Sequence, residues 1–301
     1  MLNILYGIIA LSLLILVHEL GHFLVAKIAN VKILTFSLGF GKKLLSYKKG
    51  ETEYAVSLVP LGGYVKLLGE SPDDEVKEEE IHRSYAHKPP LVKILIAFTG
   101  PLFNILFAFV LFYLVFLSGY SVLSTKVGGV EKGYPAYEAG IKEGDIITRI
   151  EGKGIEEWGD LMGAMAEAPY RPLKFTVKRG NISIDVMVMP KEIESKNIFG
   201  ETIKRKVIGV IASNDFFTKK ETLAGATSKA FYQTYNLSRI TIVGIVKLIE
   251  GSISPKNIGG PLLILEMAGK QAKEGKKNLI YFIALMVLAF FNDIMRMFYG
   301  K

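Results

Sequence analysis

The chain has 301 residues, half of them hydrophobic, and a formal net charge of +8, with a mean hydropathy of +0.31. This balance is too apolar for an ordinary soluble enzyme and too charged for spanning helices alone, so it predicts a protein partly embedded in the lipid bilayer. The chain contains no cysteine, which excludes disulfides and thiolate metal ligands. The basic residues lie beside apolar runs without any RNA-binding motif or basic recognition helix, so we expect no nucleic-acid partner.

The first predicted element is a membrane-spanning helix over residues 1–29. Residues 4–17 carry no charge, and the apolar character resumes at residues 23–26. A spanning helix needs about 20 mostly apolar residues, so the segment is long enough only if the sequence HELGH, residues 18–22, lies inside it. The start MLNILYG contains no Lys or Arg, and we therefore expect no cleaved signal peptide.

The HELGH sequence is an H-E-x-x-H pattern on this predicted helix. The i, i+4 spacing places His18 and His22 on one face, about one turn apart, where they can bind one Zn²⁺ per chain. Glu19 is the predicted catalytic residue, because a carboxylate beside the metal can take a proton from zinc-bound water. Charged groups inside lipid cost about 2.5–3.5 kcal/mol each, which favours a functional site over the alternative, a polar cluster that packs against another helix.

Residues 30–90 are predicted to form a cytoplasmic, membrane-associated β region. Six lysines precede the first acidic residue after the first span, Glu51: Lys27, Lys32, Lys42, Lys43, Lys48 and Lys49. The positive-inside rule places this loop in the cytoplasm and the N-terminus outside.

Two further features of this region carry expectations. The alternation of Tyr54, Val56 and Leu58 with smaller residues predicts an edge strand, which either pairs with an unwound substrate segment or belongs to an ordinary hairpin. His82 and His87 lie beside two prolines and are expected to face solvent and not to be metal ligands.

The second predicted span covers residues 91–120, and residues 94–120 carry no charge. It returns the chain to the outer side of the membrane, where residues 121–191 are predicted to form a soluble domain and residues 192–277 a region with strands and an amphipathic helix. Pattern and turn signals predict helices at residues 135–139 and 161–168, and strands at residues 146–150, 173–178 and 183–189.

The last part of the chain contains two apolar runs. Residues 231–249 are interrupted by polar and basic side chains, which predicts an amphipathic helix at the membrane surface, with a poor spanning helix as the alternative. Residues 279–291 are a short third apolar run inside residues 278–301, which are predicted to be an incomplete transmembrane helix with an atypical tail.

Several motifs occur in a specific order: HELGH, SLGFGKKL (residues 37–44), GGYVKLLGE (residues 62–70), GPLFN (residues 100–104), and two longer stretches at residues 135–158 and 256–279. Together they resemble the bacterial regulator-of-sigma-E branch of the site-2 proteases, over residues 3–292. The resemblance implies a polytopic α-helical membrane protein of the bacterial inner membrane, with an extracytoplasmic PDZ-like α+β domain at residues 121–191 and a small cytoplasmic β-rich loop.

The resemblance also implies regulated intramembrane proteolysis of the anti-sigma-factor type. The expected partner is a single-pass membrane protein, trimmed outside by an upstream site-1-type protease and then cut in or near the lipid bilayer. The PDZ-like domain is expected to exclude untrimmed substrates. The residues expected to bind substrate are Gly62, Gly63, Tyr64, Asn104 and Asn292. For Asn104 the alternative is a hydrogen bond across helices.

The chain departs from the family pattern at its third zinc ligand. Catalytic zinc usually has three protein ligands, and in the family the third is an Asp in an L-D-G motif eight residues after the Asn that Asn292 matches. Position 300 is Gly and no L-D-G occurs. Either residues 293–301 come from a truncation, a shifted frame or a junction, or Asp293 substitutes, about 10 Å from the expected place. We expect this form to bind zinc weakly and to cleave little.

Three functions are compatible with these motifs to different degrees. The leading hypothesis is an intramembrane zinc endopeptidase. One alternative is a catalytically impaired membrane PDZ adaptor that keeps HELGH as a relic, which the missing third ligand favours and the intact His18, Glu19 and His22 oppose. The other is a soluble-type zinc protease anchored in the membrane, which requires HELGH to lie outside the apolar run.

Overall fold

The computed structural model describes residues 2–197 and 199–252, which fall into two compact units. One unit contains the chain up to Leu117 and resumes at Thr222, and the other is Ser118–Glu221. Asn292, Asp293 and the third apolar run lie outside the described residues.

Two long helices dominate the first unit. Helix α1 (Leu2–Ile28) contains HELGH, and α2 (Pro90–Ser118) contains GPLFN. In the described part of the chain these are the two helices that are long and apolar enough to cross a membrane. They pack closely, because an ideal Cβ on Gly21 of α1 would lie 2.6 Å from the carbonyl oxygen of Thr99 on α2.

A small sheet follows α1. Strands β1 (Ile33–Lys49) and β2 (Thr52–Leu67) are antiparallel partners. The first half of β1 lies between two parts of β2, since Phe36 pairs with Val65 on one side and with Tyr54 on the other. The second half of β1 pairs with the beginning of β2, where Tyr47 faces Tyr54.

The predicted edge strand is therefore wrong at Tyr54 and Val56. Residues 53–56 have paired neighbours on both sides, and the edges of the sheet, among the described residues, are residues 43–49 and 63–67. An alternating pattern of side chains indicates that a strand has two different faces, but it does not indicate how many strands pair with it.

A shared apolar core joins α1, the sheet and the start of α2. Its buried members are Phe23, Ala26, Val31, Ile33, Leu67 and Ile96. A 3₁₀ helix (Glu78–Arg83) closes the connection to α2, and Arg83 makes two hydrogen bonds to the Glu51 carboxylate. This core fixes the position of the strand that ends at Leu67 relative to the HELGH helix.

The second unit is rich in strands. Its short strands β3 (Tyr120–Leu123) and β4 (Val127–Val130) pair with β12 (Phe216–Lys219) and β11 (Val210–Ala212) respectively. The six strands between them are β5 (Ile146–Ile150), β6 (Lys153–Gly154), β7 (Leu173–Arg179), β8 (Ile182–Val188), β9 (Lys191–Lys196) and β10 (Thr202–Val207). A four-stranded sheet has the order β6-β5-β7-β8, and β9 and β10 form a separate hairpin.

Two short helices, α3 (Pro135–Glu138) and α4 (Trp158–Ala166), complete this unit around a core that includes Ile147, Leu161, Phe175 and Val177. The predicted helices and strands within residues 135–189 are confirmed, with ends that differ by at most three residues. The compact unit continues to Glu221 and so includes the strands that follow residue 191.

An ion pair between a buried carboxylate and a partly exposed arginine belongs to this unit. The Asp145 carboxylate, 1% exposed, accepts hydrogen bonds from Nε of Arg179 at 2.7 Å and from the backbone N–H of Lys142 at 2.9 Å. Burial alone would raise the pKa of Asp145, but these hydrogen bonds hold it below its ordinary value.

The chain then re-enters the first unit as helix α5 (Leu223–Ile249). Thr222 caps its N-terminus by accepting a hydrogen bond from the backbone N–H of Gly225. Its buried residues, Ala226, Ala230 and Thr234, recur every fourth residue along one side. The helix predicted at residues 231–249 is thus confirmed as a helix, and it begins two turns earlier.

Candidate metal centre

The two histidines of HELGH face each other across one turn of α1. The ring centroids of His18 and His22 are 4.8 Å apart, and their planes are inclined by 77°. His18 is buried and His22 is half-buried. This is the arrangement expected of two helical residues at i, i+4.

The Nε2 atoms of both rings converge on Gly100 of helix α2. An ideal Cβ on Gly100 would lie 2.6 Å from Nε2 of His18 and closer still to Nε2 of His22. The missing side chain therefore leaves open a space that both nitrogens face. Because zinc is bound by histidine nitrogens at about 2.0–2.1 Å, a space that both Nε2 atoms border fits such an ion, and His18 and His22 are the residues that would hold it.

The opposite nitrogens of the two rings are held by the same helix. Nδ1 of His22 lies 2.7 Å from the backbone carbonyl oxygen of Ile96, and Nδ1 of His18 lies 3.3 Å from the side-chain amide of Asn104. Ile96, Gly100 and Asn104 are spaced four residues apart, so they form one stripe on α2. Asn104 thus lies against His18, and its expected contact with substrate stays a prediction.

Glu19 points toward the sheet. An ideal Cβ on Gly63 would lie 3.1 Å from Cγ of Glu19 and 3.0 Å from the carbonyl oxygen of Ser37. The edge segment of β2 therefore passes directly beside the Glu19 side chain, and a Cβ at position 63 would require its neighbours to shift by a few tenths of an ångström. The next residue, Tyr64, stacks on Phe40 with ring centroids 6.3 Å apart.

The third ligand is not found among residues 2–197 and 199–252. Within these ranges no group of three or more His, Cys, Asp or Glu side chains could hold a metal ion. Asp293 and Asn292 lie outside them. His82 and His87 are exposed, and Nδ1 of His87 lies 3.2 Å from the Ser84 hydroxyl, in agreement with their expected place at the surface.

Two groups at this site were missed by the sequence analysis, namely the carbonyl of Ile96 and the vacant Cβ position of Gly100. A backbone oxygen and an absent side chain leave no signal in a search for ligand-type residues. The spacing of Gly100 one helical turn before Asn104 in GPLFN was the available signal, because it places both on one face.

Comparisons with known proteins identify the family of the chain. The sequence profile of peptidase family M50 matches residues 6–294. A candidate zinc metalloprotease of Campylobacter jejuni is 33% identical over 279 residues, which is 93% of this chain and 75% of that protein. Candidate zinc metalloproteases of Clostridium perfringens and of Helicobacter pylori strain J99 are 34% and 37% identical, over 96% and 86% of this chain and 82% and 75% of those proteins.

Solved structures give a weaker likeness. PDZ domains of SdrC-like proteins from Listeria innocua and Listeria monocytogenes align with 31% of this chain at 21% and 19% identity, covering 96% and 88% of those chains. The TM-score is 0.24 for both, and similarity at this level has no functional implication. The match of the family profile to nearly the whole sequence, together with relatives above 30% identity along most of its length, shows that the chain belongs to peptidase family M50, the site-2 protease family of membrane metalloproteases.

Proposed function

We propose that the chain is an intramembrane zinc endopeptidase that cuts a single-pass membrane protein within its membrane segment. The observation that carries this proposal is the depth of the metal centre. His18 is ten residues from the end of α1 at Ile28, and Gly100 is ten residues from the start of α2 at Pro90. Both distances correspond to about 15 Å along a helix, or half of the hydrocarbon thickness of a bilayer.

The outer surface of α2 supports a lipid environment. Large apolar side chains are 37–67% exposed along one side from Leu91 to Leu114. Its opposite side is buried and includes Ile96, Gly100, Asn104 and Phe112. An exposed apolar stripe of this length is unfavourable in water and suits contact with lipid chains.

The chemistry of the site follows from its residues. When bound, zinc supplies a Lewis acid and lowers the pKa of a bound water molecule. His18 and His22 would hold the metal, and the Glu19 carboxylate would accept the proton of the water that attacks the peptide carbonyl and deliver it to the leaving amide nitrogen.

The sheet beside Glu19 is the proposed site for the substrate backbone. A peptide bond inside a helix has its N–H and C=O groups bonded internally, so the helix must open before hydrolysis. Residues 63–67, which follow Gly62 directly, are an edge of the sheet among the described residues and pass Glu19 at Gly63. An opened substrate segment that adds to this edge would place a peptide bond beside the carboxylate. This is the role we propose for Gly62, Gly63 and Tyr64.

We also propose that the substrate is first shortened outside the membrane by another protease, and that the unit Ser118–Glu221, as a PDZ-like domain, excludes substrates that have not been shortened. These proposals come from the family resemblance. They require this unit to lie on the side of the membrane where the first cut is made.

Cleavage inside the membrane segment is the direct test. The protein, with residues 293–301 replaced by a family-type tail that carries L-D-G and a final span, is reconstituted in liposomes with a single-pass substrate. We expect zinc-dependent products whose masses place the cut within the span, and slower cleavage of a substrate that keeps a folded outer domain. Products cut only in the soluble flanks, or cleavage that persists after zinc is removed with a chelator, would overturn the proposal.

The proposed location is the bacterial inner membrane, with the β1–β2 sheet in the cytoplasm and the Ser118–Glu221 unit outside. The lysines around β1 support this orientation by the positive-inside rule. Because α1 and α2 are consecutive spans in this proposal, the sheet between them and the unit after α2 must lie on opposite sides.

Single cysteines test this orientation, since the natural chain has none. Lys77→Cys and Lys153→Cys replace exposed residues in the two regions. In intact cells a membrane-impermeant thiol reagent is expected to label position 153 and not position 77. After permeabilisation both should react, which controls for accessibility. Labelling of position 77 alone in intact cells shows that the orientation is inverted.

A further inference from the structure

We infer that Ile96 and Asn104 hold His22 and His18 in one tautomer, with the hydrogen on Nδ1 and the lone pair of Nε2 directed at the metal space. Asn104 is thereby a positioning residue of the metal centre. The inference rests on the proposed function only in taking the nitrogens that face Gly100 as the metal donors.

The tautomer of His22 follows from its partner. The Ile96 carbonyl oxygen can only accept a hydrogen bond, and it lies 2.7 Å from Nδ1 of His22. Nδ1 therefore carries the hydrogen, and in the neutral ring Nε2 keeps its lone pair. This is the nitrogen that faces Gly100.

The tautomer of His18 follows from the proposal that its Nε2 binds the metal. A neutral imidazole whose Nε2 donates to a metal must carry its hydrogen on Nδ1, so the partner of Nδ1 must be an acceptor. The neighbour of Nδ1 is the amide of Asn104, which is 1% exposed. Its oxygen and nitrogen are distinguished only by their hydrogen bonds.

The side-chain amide of Asn104 can supply this acceptor when its oxygen faces His18. With Nδ2 toward His18, the buried Oδ1 has no hydrogen-bond partner among the described residues. Exchange of the two amide atoms places Oδ1 against Nδ1–H of His18 and gives the oxygen a donor, while Nδ2 takes the position that has no hydrogen-bond partner among the described residues. The number of unpaired amide atoms is the same in both orientations, so the requirement that Nε2 binds the metal selects the accepting one. The two histidines then have equivalent partners on α2, a backbone carbonyl for one and an amide carbonyl for the other.

This pairing provides an internal control. The acceptor for His18 is a side chain and can be removed by substitution, whereas the acceptor for His22 is a backbone carbonyl that remains. Asn104→Leu should therefore affect one histidine and spare the other. Asn104→Asp keeps an oxygen that accepts a hydrogen bond and should preserve the tautomer.

The test is nitrogen NMR of the metal-free, full-length chain with ¹⁵N-labelled histidine in a lipid nanodisc. His82→Gln and His87→Gln leave only His18 and His22 of the four histidines. At about pH 8, where an ordinary imidazole is neutral, both rings are expected to show hydrogen on Nδ1. In Asn104→Leu the His18 ring should lose this single tautomer while His22 keeps it, and Asn104→Asp should restore it.

Zinc affinity, measured by competition with a chelator in a chain whose tail carries L-D-G after Asn292, is the second readout. Asn104→Leu is expected to weaken zinc binding about 10–100-fold, and Asn104→Asp to remain close to the natural chain. Phe112→Leu removes buried packing two turns further along α2 and should leave the affinity unchanged.

The outcomes separate the inference from the proposed function. If His18 carries its hydrogen on Nε2 in the natural chain, or if Asn104→Leu changes neither its tautomer nor the zinc affinity, the inference is wrong. If the tautomers respond as expected but the chain binds no zinc, the inference about the rings stands and the proposed zinc chemistry fails.

Discussion

Glu19→Gln is expected to lower peptide hydrolysis by at least about 100-fold, the usual scale of a lost general base, with little change in bound zinc. The amide cannot accept the proton of the attacking water, whereas the rings of His18 and His22 and their contacts to α2 are unchanged. The measurement is zinc per chain and turnover of a membrane substrate, in a chain whose tail carries L-D-G after Asn292.

The same chemical change elsewhere controls for loss of charge. Glu53 pairs with Lys43 at 2.5 Å in the sheet, and Glu53→Gln is expected to leave both zinc content and turnover near those of the natural chain. Turnover of Glu19→Gln close to the natural rate would show that another group moves the proton. Loss of zinc in Glu19→Gln would show that this carboxylate also supports the metal.

In a chain whose tail carries L-D-G after Asn292, Gly100→Ala is expected to remove tight zinc binding, with a loss of affinity above about 100-fold. The new methyl group would lie 2.6 Å from Nε2 of His18 and closer to Nε2 of His22, well inside the distance of ordinary contact, and would fill the space between the two donors. The effect cannot come from a weaker helix, because alanine is about 1 kcal/mol more favourable than glycine in a helix interior. Zinc content and helix content by circular dichroism are measured together.

Gly163 of helix α4 is the matched control for this change. It is also a helical glycine, and a Cβ at this position meets no atom within 4 Å, so Gly163→Ala should leave zinc binding unchanged and the protein slightly more stable. If Gly100→Ala binds zinc as tightly as the natural chain, the two Nε2 atoms do not share the space in front of Gly100, and the candidate metal centre is placed wrongly.

Much of the local structure could be predicted from the sequence. Apolar runs and turn signals predicted α1, α2 and the strands around Ile147 and Phe175, because these elements follow from local periodicity. The arrangement of β1 and β2 could not be predicted, since it depends on register between residues such as Phe36 and Val65 that are distant along the chain. Tyr54 shows the difference: its strand was predicted, but its two neighbours were not.

The candidate site divides in the same way. His18, Glu19 and His22 could be named because a motif with fixed spacing on one helix determines their relative placement. The contributions of Ile96 and Gly63 could not, since one acts through its backbone carbonyl and the other through the lack of a side chain. Such contributions depend on which helix or strand lies opposite, and this depends on how the whole unit packs and not on local sequence.

The stripe of Ile96, Gly100 and Asn104 makes the metal centre sensitive to the rotational phase of α2. A shift of α2 by one residue relative to α1 corresponds to a rotation of about 100° and an advance of about 1.5 Å. Such a shift would remove the carbonyl, the open space and the amide from the histidines at the same moment. Any force that turns this helix about its axis, whether from lipid thickness or from a bound protein, would therefore act on both imidazoles together and switch the centre as a unit.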